Sequence, residues 1–113
     1  MDLTVIITTI NEAENLALLV PRLRSALDAE KAVHEILVID GPSTDGTPEI
    51  ACSLGCRVEK QTSPGYAQAI REGLRSARGN RIIVMDADGS HSPDDAARLY
   101  RHRDLADIVI NSR

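Results

Sequence analysis

The sequence predicts an α/β fold: a mostly parallel sheet with helices on both faces. Two observations carry the prediction. Short β-branched apolar runs alternate with segments whose apolar residues recur at helical spacing. Each run is followed by turn residues, and parallel sheets of this kind bind ligands beyond the carboxyl ends of their strands.

Leu3–Thr9 (LTVIITT) reads as a buried first strand. Asn11 follows as the N-cap of a helix, with Glu12 and Glu14 in the first turn, where the dipole favours acids. Leu16, Leu19, Val20, Leu23 and Leu27 carry the helical spacing to about Ala29, and Pro21 predicts a kink or a restart. Glu35–Asp40 is the second strand and 41–46 a polar turn. Thr47 and Pro48 read as N-cap and first residue of a short helix ending near Gly55. Arg57–Lys60 is a weak third strand. Pro64-Gly65 opens a helix to about Arg78, closed by Gly79. Arg81–Met85 is the fourth strand, Ser92-Pro93 starts another helix, and Asp107–Ile110 is the fifth strand. No internal repeat or linker interrupts this order, so residues 1–113 read as one domain.

Composition excludes several function classes. Hydrophobic residues make up 42% and charged residues 27%, an ordinary globular balance. The net charge of −4 argues against a phosphate-coating nucleic-acid binder. With Tyr66 and Tyr100 as the sole aromatics, base-stacking platforms for single strands are not expected. No apolar stretch is long enough to span a bilayer, and the N-terminus lacks the pattern of a signal peptide, so the expected compartment is the cytoplasm. Cys52 and Cys56 read as two semi-buried thiols, because no second Cys/His cluster completes a zinc site.

The central constellation is Asp86-Ala87-Asp88, after an apolar strand and before a Ser-His-Ser-Pro turn. Two carboxylates one residue apart repel each other, and a divalent cation relieves that repulsion. Oxygen-only ligands suit Mg2+ or Mn2+, which bind through one or two carboxylates together with substrate phosphates. The competing reading is a solvated acidic turn. A calcium loop is excluded: Asp86, Asp88 and Ser90 fit it, but His91 and Ala97 stand where Gly and Glu are required. Residues 86–90 also resemble the D-x-D-G-[ST] of haloacid-dehalogenase-like phosphatases. That motif sits on the first strand of their core, and only 25 residues follow Asp88 here.

Asp40 is the second candidate. It either accepts from a base N–H or ribose hydroxyl, as strand-end acids do in dinucleotide-binding folds, or caps the Ser43 or Thr44 amides. Glu12 is either helix-dipole decoration or a nucleotide contact.

The order of these pieces resembles family 2 glycosyltransferases of the GT-A fold, most closely the dolichyl-phosphate mannosyltransferase-like branch. The residues that carry the resemblance are Thr8–Glu12, residues 39–47, Gly65 with Gly73, Asp86-Ala87-Asp88, Ser90–Pro93 and Ile108–Arg113, across essentially the whole chain. The resemblance implies a Rossmann-like half that binds a nucleotide-diphospho-sugar of the GDP-mannose or UDP-glucose class. Thr8, Ile10, Glu12 and Ala87 would line the donor pocket and Asp40 would recognise base or ribose. Asp86 and Asp88 would hold Mg2+ or Mn2+, with Ser90 as a further ligand. Arg113 would neutralise donor phosphate; taken alone, its competing reading is a frayed, solvated terminus. The implied acceptor is a polyprenyl phosphate, met by a protein peripheral to the membrane.

Three departures stand out. The family's Pro-x-Tyr-Asn-Glu is here Thr8-Thr9-Ile10-Asn11-Glu12, so aromatic packing on the base is lost. Asp-Asp-Gly-Ser is Asp40-Gly41-Pro42-Ser43, and Gly-x-Gly is Gly65-Tyr66-Ala67. The acceptor half, with the general base, is expected outside these residues, because Asp94 and Asp95 fit a helix N-terminus. His91 reads as a turn residue. Two further readings remain open: a nucleotide-binding module without transfer, and a homo-oligomer formed through apolar surface that the missing half would cover.

Overall fold

The central apolar runs gather into one sheet because they bury side chains on both faces. The computed structural model of the chain describes residues 1–87, 92–102 and, as backbone, 108–110. Among these residues β1 (Leu3–Thr9), β2 (His34–Asp40), β3 (Arg57–Lys60), β4 (Arg81–Asp86) and β5 (Ile108–Ile110) form one sheet. All neighbouring strands are parallel, in the order β3-β2-β1-β4-β5. The helices are α1 (Ala13–Ala29), α2 (Thr47–Ser53), α3 (Tyr66–Ser76) and α4 (Pro93–Arg101).

The pleat divides the core. Val5, Ile7, Val38 and Met85 pack against Leu16, Leu23 and Leu27 of α1, Ala51 of α2, and Ala96 and Tyr100 of α4. Ile6, Leu37, Ile39 and Val84 face the other way, against Ala69 and Ile70 of α3. Each fully buried aliphatic side chain contributes roughly 2 kcal/mol, so double-sided burial explains why the central strands read as continuous apolar runs.

Four local expectations change. Helix α1 runs unbroken through Pro21, whose ring lies on the exposed face. Its missing N–H costs a hydrogen bond there, and the buried stripe of leucines on the opposite face outweighs that cost. Helix α2 is capped by Gly46 in a left-handed conformation (φ 83°), so Thr47 is its first residue and its hydroxyl is released for another task. Helix α3 ends at Ser76, two residues early. Gly79 does not close it: a Cβ there would collide with the backbone of Leu3 and Thr4, so Gly79 lets the chain cross the start of β1. Its N–H donates to Thr4 Oγ1 at 2.9 Å.

Helix α4 starts as expected. Ser92 Oγ accepts from the Asp94 N–H at 3.1 Å, and Asp95 accepts from the Ser92 N–H at 3.2 Å, a reciprocal capping box. Asp94 and Asp95 are thus helix-start residues. The cysteines, expected as two semi-buried thiols, are free thiols that differ in burial: Cys52 is exposed and Cys56 buried. Among the described residues no helix is long and apolar enough to cross a membrane.

Candidate functional site

The chain runs outward from β1 to β2 and β3, then crosses back to place β4 on the other side of β1. Strand order therefore reverses between β1 and β4, where crossover segments diverge and leave a crevice at the carboxyl ends. Thr8 and Asp86 are register partners across it. A cleft of about 260 Å³ opens there, lined by Thr8, Ile10, Glu12, Asp86 and Ala87, with Tyr66 and Ala69 of α3 on its far side. A second cleft of about 600 Å³ lies beside it, over Asp40, Gly41 and the segment from Lys60 to Gly65. Ile10, Gln61 and Gly65 line both, so the two clefts form one trough along the carboxyl edge.

Asp40 ends β2 with 2% of its surface exposed. Its Oδ1 accepts from Thr9 Oγ1 at 2.8 Å and Ser43 Oγ at 2.6 Å. The amide-capping alternative does not hold. The Ser43 N–H goes to the Gly41 carbonyl at 2.8 Å, and the Thr44 N–H goes to Asn11 Oδ1 at 2.7 Å. Two short hydroxyl side chains reach the buried carboxylate more directly than the turn amides can.

Asn11 is not the N-cap of α1. It takes a left-handed backbone conformation (φ 54°), which asparagine tolerates better than most residues. Glu12 stands at the cap position without a side-chain cap bond of its own. The helix is capped from a distance: the Glu12 N–H donates to Thr47 Oγ1 at 3.0 Å and the Ala13 N–H to Asp45 Oδ2 at 3.2 Å. Asp45 also accepts from the Thr47 N–H and hydroxyl. The Thr47 hydroxyl, with burial acting against it and the Ala13 N–H adding to it, holds Asp45 below the usual carboxylate range. The Asn11 N–H donates to Ser43 Oγ at 2.9 Å. The loops after β1 and β2 are therefore laced into one rim. Sequence reading assigned no such roles to Thr9, Asp45 and Thr47, because each partner lies more than thirty positions away.

The candidates divide as follows. Thr8, Ile10, Glu12, Asp86 and Ala87 share the smaller cleft, while Asp40 and Ile10 border the larger one. Glu12 Oε2 accepts from Asn15 Nδ2 at 2.6 Å. Ile10 is 58% exposed and Tyr66 52% exposed, so two large side chains stand exposed along the trough. Asp88, Ser90, His91 and Arg113 lie outside the described residues. The smaller cleft offers two carboxylates, Glu12 and Asp86, and among the described residues neither a thiol nor an imidazole lines it. Among the described residues no group of three or more His, Cys, Asp or Glu side chains gathers to hold a metal ion, and of the expected ligands Asp86 alone is described; its oxygens suit a hard cation such as Mg2+ or Mn2+.

Comparison with known proteins decides the family. Residues 4–113 match the profile described as Glycosyl transferase family 2. The chain belongs to that family. It is 42% identical to polyprenol monophosphomannose synthase of Mycolicibacterium smegmatis, covering 96% of this chain and 44% of that protein. It is 35% identical to dolichol-phosphate mannosyltransferase of Pyrococcus furiosus, covering 100% of this chain and 33% of that protein. The chain thus spans between a third and a half of the length of these relatives. Its fold matches glucosyl-3-phosphoglycerate synthase of Mycobacterium tuberculosis, solved with Mn2+, uridine diphosphate and glucosyl-3-phosphoglycerate. The TM-score is 0.69 at 22% identity, over 81% of this chain and 36% of that one. Family and fold agree with the sequence resemblance. They leave the phosphatase reading without support, since Asp86 ends the fourth strand and not the first.

Proposed function

We propose that this chain is the donor-binding part of a glycosyltransferase that moves a hexose, mannose or glucose, from a nucleoside diphosphate to a polyprenyl phosphate. The observation that carries the reading is the trough itself. It is open at the strand-order reversal, with the buried Asp40 carboxylate along one part and Asp86 along the other. In this reading Asp40 accepts from base or ribose, and Thr8, Ile10, Glu12 and Ala87 line the donor. Asp86 and Asp88 hold Mg2+ or Mn2+, with Ser90 as a further ligand, and Arg113 meets donor phosphate.

One feature of the rim separates this reading from a dinucleotide-binding fold. Such folds seat a pyrophosphate on the N–H groups that open the first helix. Here the Glu12 and Ala13 N–H groups are taken by Thr47 and Asp45, and Asp45 adds a negative charge beside them. A diphosphate must find its compensating charge elsewhere, and the Asp86–Asp88 segment is where a cation could provide it. When bound, that cation would neutralise the charge developing on the departing nucleoside diphosphate. The acceptor oxygen bonds to the anomeric carbon as the bond to the diphosphate oxygen breaks. The names of the curated relatives support the polyprenyl-phosphate acceptor, and so a site of action at a membrane surface.

The test is calorimetry of GDP-, UDP- and ADP-sugars with the purified chain, in Mn2+ or Mg2+ and then in chelator. One nucleotide sugar should bind with affinity on the order of micromolar to millimolar, and chelator should remove most of it. Equal affinity with and without metal would discard the cation role. Absence of binding to every nucleotide sugar would discard the donor site.

A further inference from the structure

We propose that Glu72 is a positioning residue for the donor trough: through Thr62 it sets the β3–α3 loop that both clefts share. The inference rests on the donor reading above and adds to it a residue outside the trough.

The loop has little to hold it but polar side chains. Gln61 and Gly65 line both clefts, and Thr62, Ser63 and Pro64 line the larger. At its start the Gln61 N–H donates to the Asp40 carbonyl at 2.7 Å. Within it the Gln61 side-chain amide donates to the Ser63 and Gly65 carbonyls, closing the loop on itself. Gly65 has a φ of 105°, which a side chain would strain, and the helix begins at the next residue. The remaining anchor is Glu72, one turn and a half into α3. Its Oε1 accepts both the Thr62 N–H at 2.8 Å and the Thr62 hydroxyl at 3.0 Å. The Thr62 N–H, with burial acting against it and the Thr62 hydroxyl adding to it, holds the Glu72 carboxyl below the usual range. Oε2 is buried without a hydrogen-bond partner among the described residues. A carboxylate half-committed in this way costs desolvation, and the ordered loop is what it secures.

The anchor is itself fixed. Glu72 precedes Gly73, where a Cβ would lie 2.9 Å from Ile6 Cγ2, so α3 sits directly on β1 at this point. Farther along, Ser76 Oγ donates to Glu59 and the Ser76 carbonyl accepts from Arg57. Glu72 therefore ties the middle of the loop, at Thr62, to a helix that rests on the sheet.

The experiment compares wild type, Glu72→Ala, Glu72→Gln and Thr62→Val as the full 113-residue chain. It measures the dissociation constant for GDP-mannose and UDP-glucose in Mn2+, together with the thermal midpoint. Glu72→Ala should bind about tenfold more weakly, while Glu72→Gln, which keeps an acceptor oxygen, should stay within about threefold. Thr62→Val keeps the N–H and loses only the hydroxyl, so it should lose about threefold, and it remains informative if Glu72→Ala does not fold. A merely structural role would lower the midpoint of Glu72→Ala and leave affinity unchanged; that result overturns the proposal. So does equal loss in Glu72→Ala and Glu72→Gln. Wild type that binds no nucleotide sugar would overturn the donor reading itself, a different outcome from wild type and variants binding alike.

Discussion

The two edges of the sheet handle their charges in opposite ways. At the amino edge, near the starts of β1 and β2, Glu35 is held by Arg57 at 3.0 Å, by the Thr4 hydroxyl at 2.6 Å and by the Arg78 N–H at 2.8 Å. Arg57 also reaches Glu59 at 3.7 Å and the Ser76 carbonyl. At the carboxyl edge, Asp40, Glu12 and Asp45 take their hydrogen bonds from neutral hydroxyl, amide and N–H groups. An acid paired with arginine has its field largely cancelled. An acid oriented by hydroxyls keeps its charge for a ligand. The first edge binds the fold together, and the second is where the proposed donor site lies.

That contrast can be broken from either side. The largest effect is expected at the amino edge. Arg57→Ala should cost about 3 kcal/mol of stability, because it leaves the nearly buried Glu35 without its counter-ion. Urea unfolding would show the loss, and nucleotide-sugar affinity of the folded fraction should be unchanged. An equal stability loss from Asp40→Ala would erase the distinction between the edges.

The next effect belongs to the trough. Asp86→Asn should weaken metal-supported donor binding about 100-fold, with a thermal midpoint close to wild type. Affinity that stays metal-dependent and undiminished would move the cation away from Asp86. Asp40→Ala follows, at about 1–3 kcal/mol of nucleotide affinity, the scale of a hydrogen bond involving a charged group. The loss should be as large for free nucleoside as for nucleotide sugar, and a loss confined to the sugar-bearing ligand would place Asp40 elsewhere in the site.

The sequence showed the carboxyl edge more clearly than the amino edge, for a physical reason. Strand periodicity and the acids just after Ile39 and Met85 are local signals, readable within a few residues. They located Asp40 and Asp86 and the two strands they end. The lacing of the rim is not local: Thr47 caps Glu12 and Asp45 caps Ala13 across more than thirty positions. Asn11 misled because asparagine suits both an N-cap and a left-handed turn, and only the neighbouring loop decides between them. Gly79 misled in the same way, since a glycine after a helix suits a cap as well as a close crossing of another strand. The Glu35–Arg57 cluster joins residues from four separate segments, and nothing in any one segment announces it.

The smallest expected effect sharpens the comparison most finely, because it separates the edges by acid alone. Burial opposes ionisation of Glu35, but hydrogen bonds from Arg57, Thr4 and the Arg78 N–H outweigh it and hold its carboxyl below the usual carboxylate range. A carboxyl lowered on folding binds its proton more readily in the unfolded chain, so stability rises with pH across that range. The contribution is fully present above about pH 4.5 and is lost as pH falls through the lower folded-state value. Asp45 is lowered as well, by Thr47, but its side chain is exposed and solvent screens it. Glu35→Gln should therefore be less stable than wild type at pH 7 and should lose less on going to pH 3.5. Asp45→Asn should leave the slope close to that of wild type. Urea midpoints measured from pH 7 to pH 3.5 would check this. A slope that flattens in Asp45→Asn and not in Glu35→Gln would mean that the acid-sensitive bond of the fold sits at the rim of the trough, and the assignment of the two edges would have to be reversed.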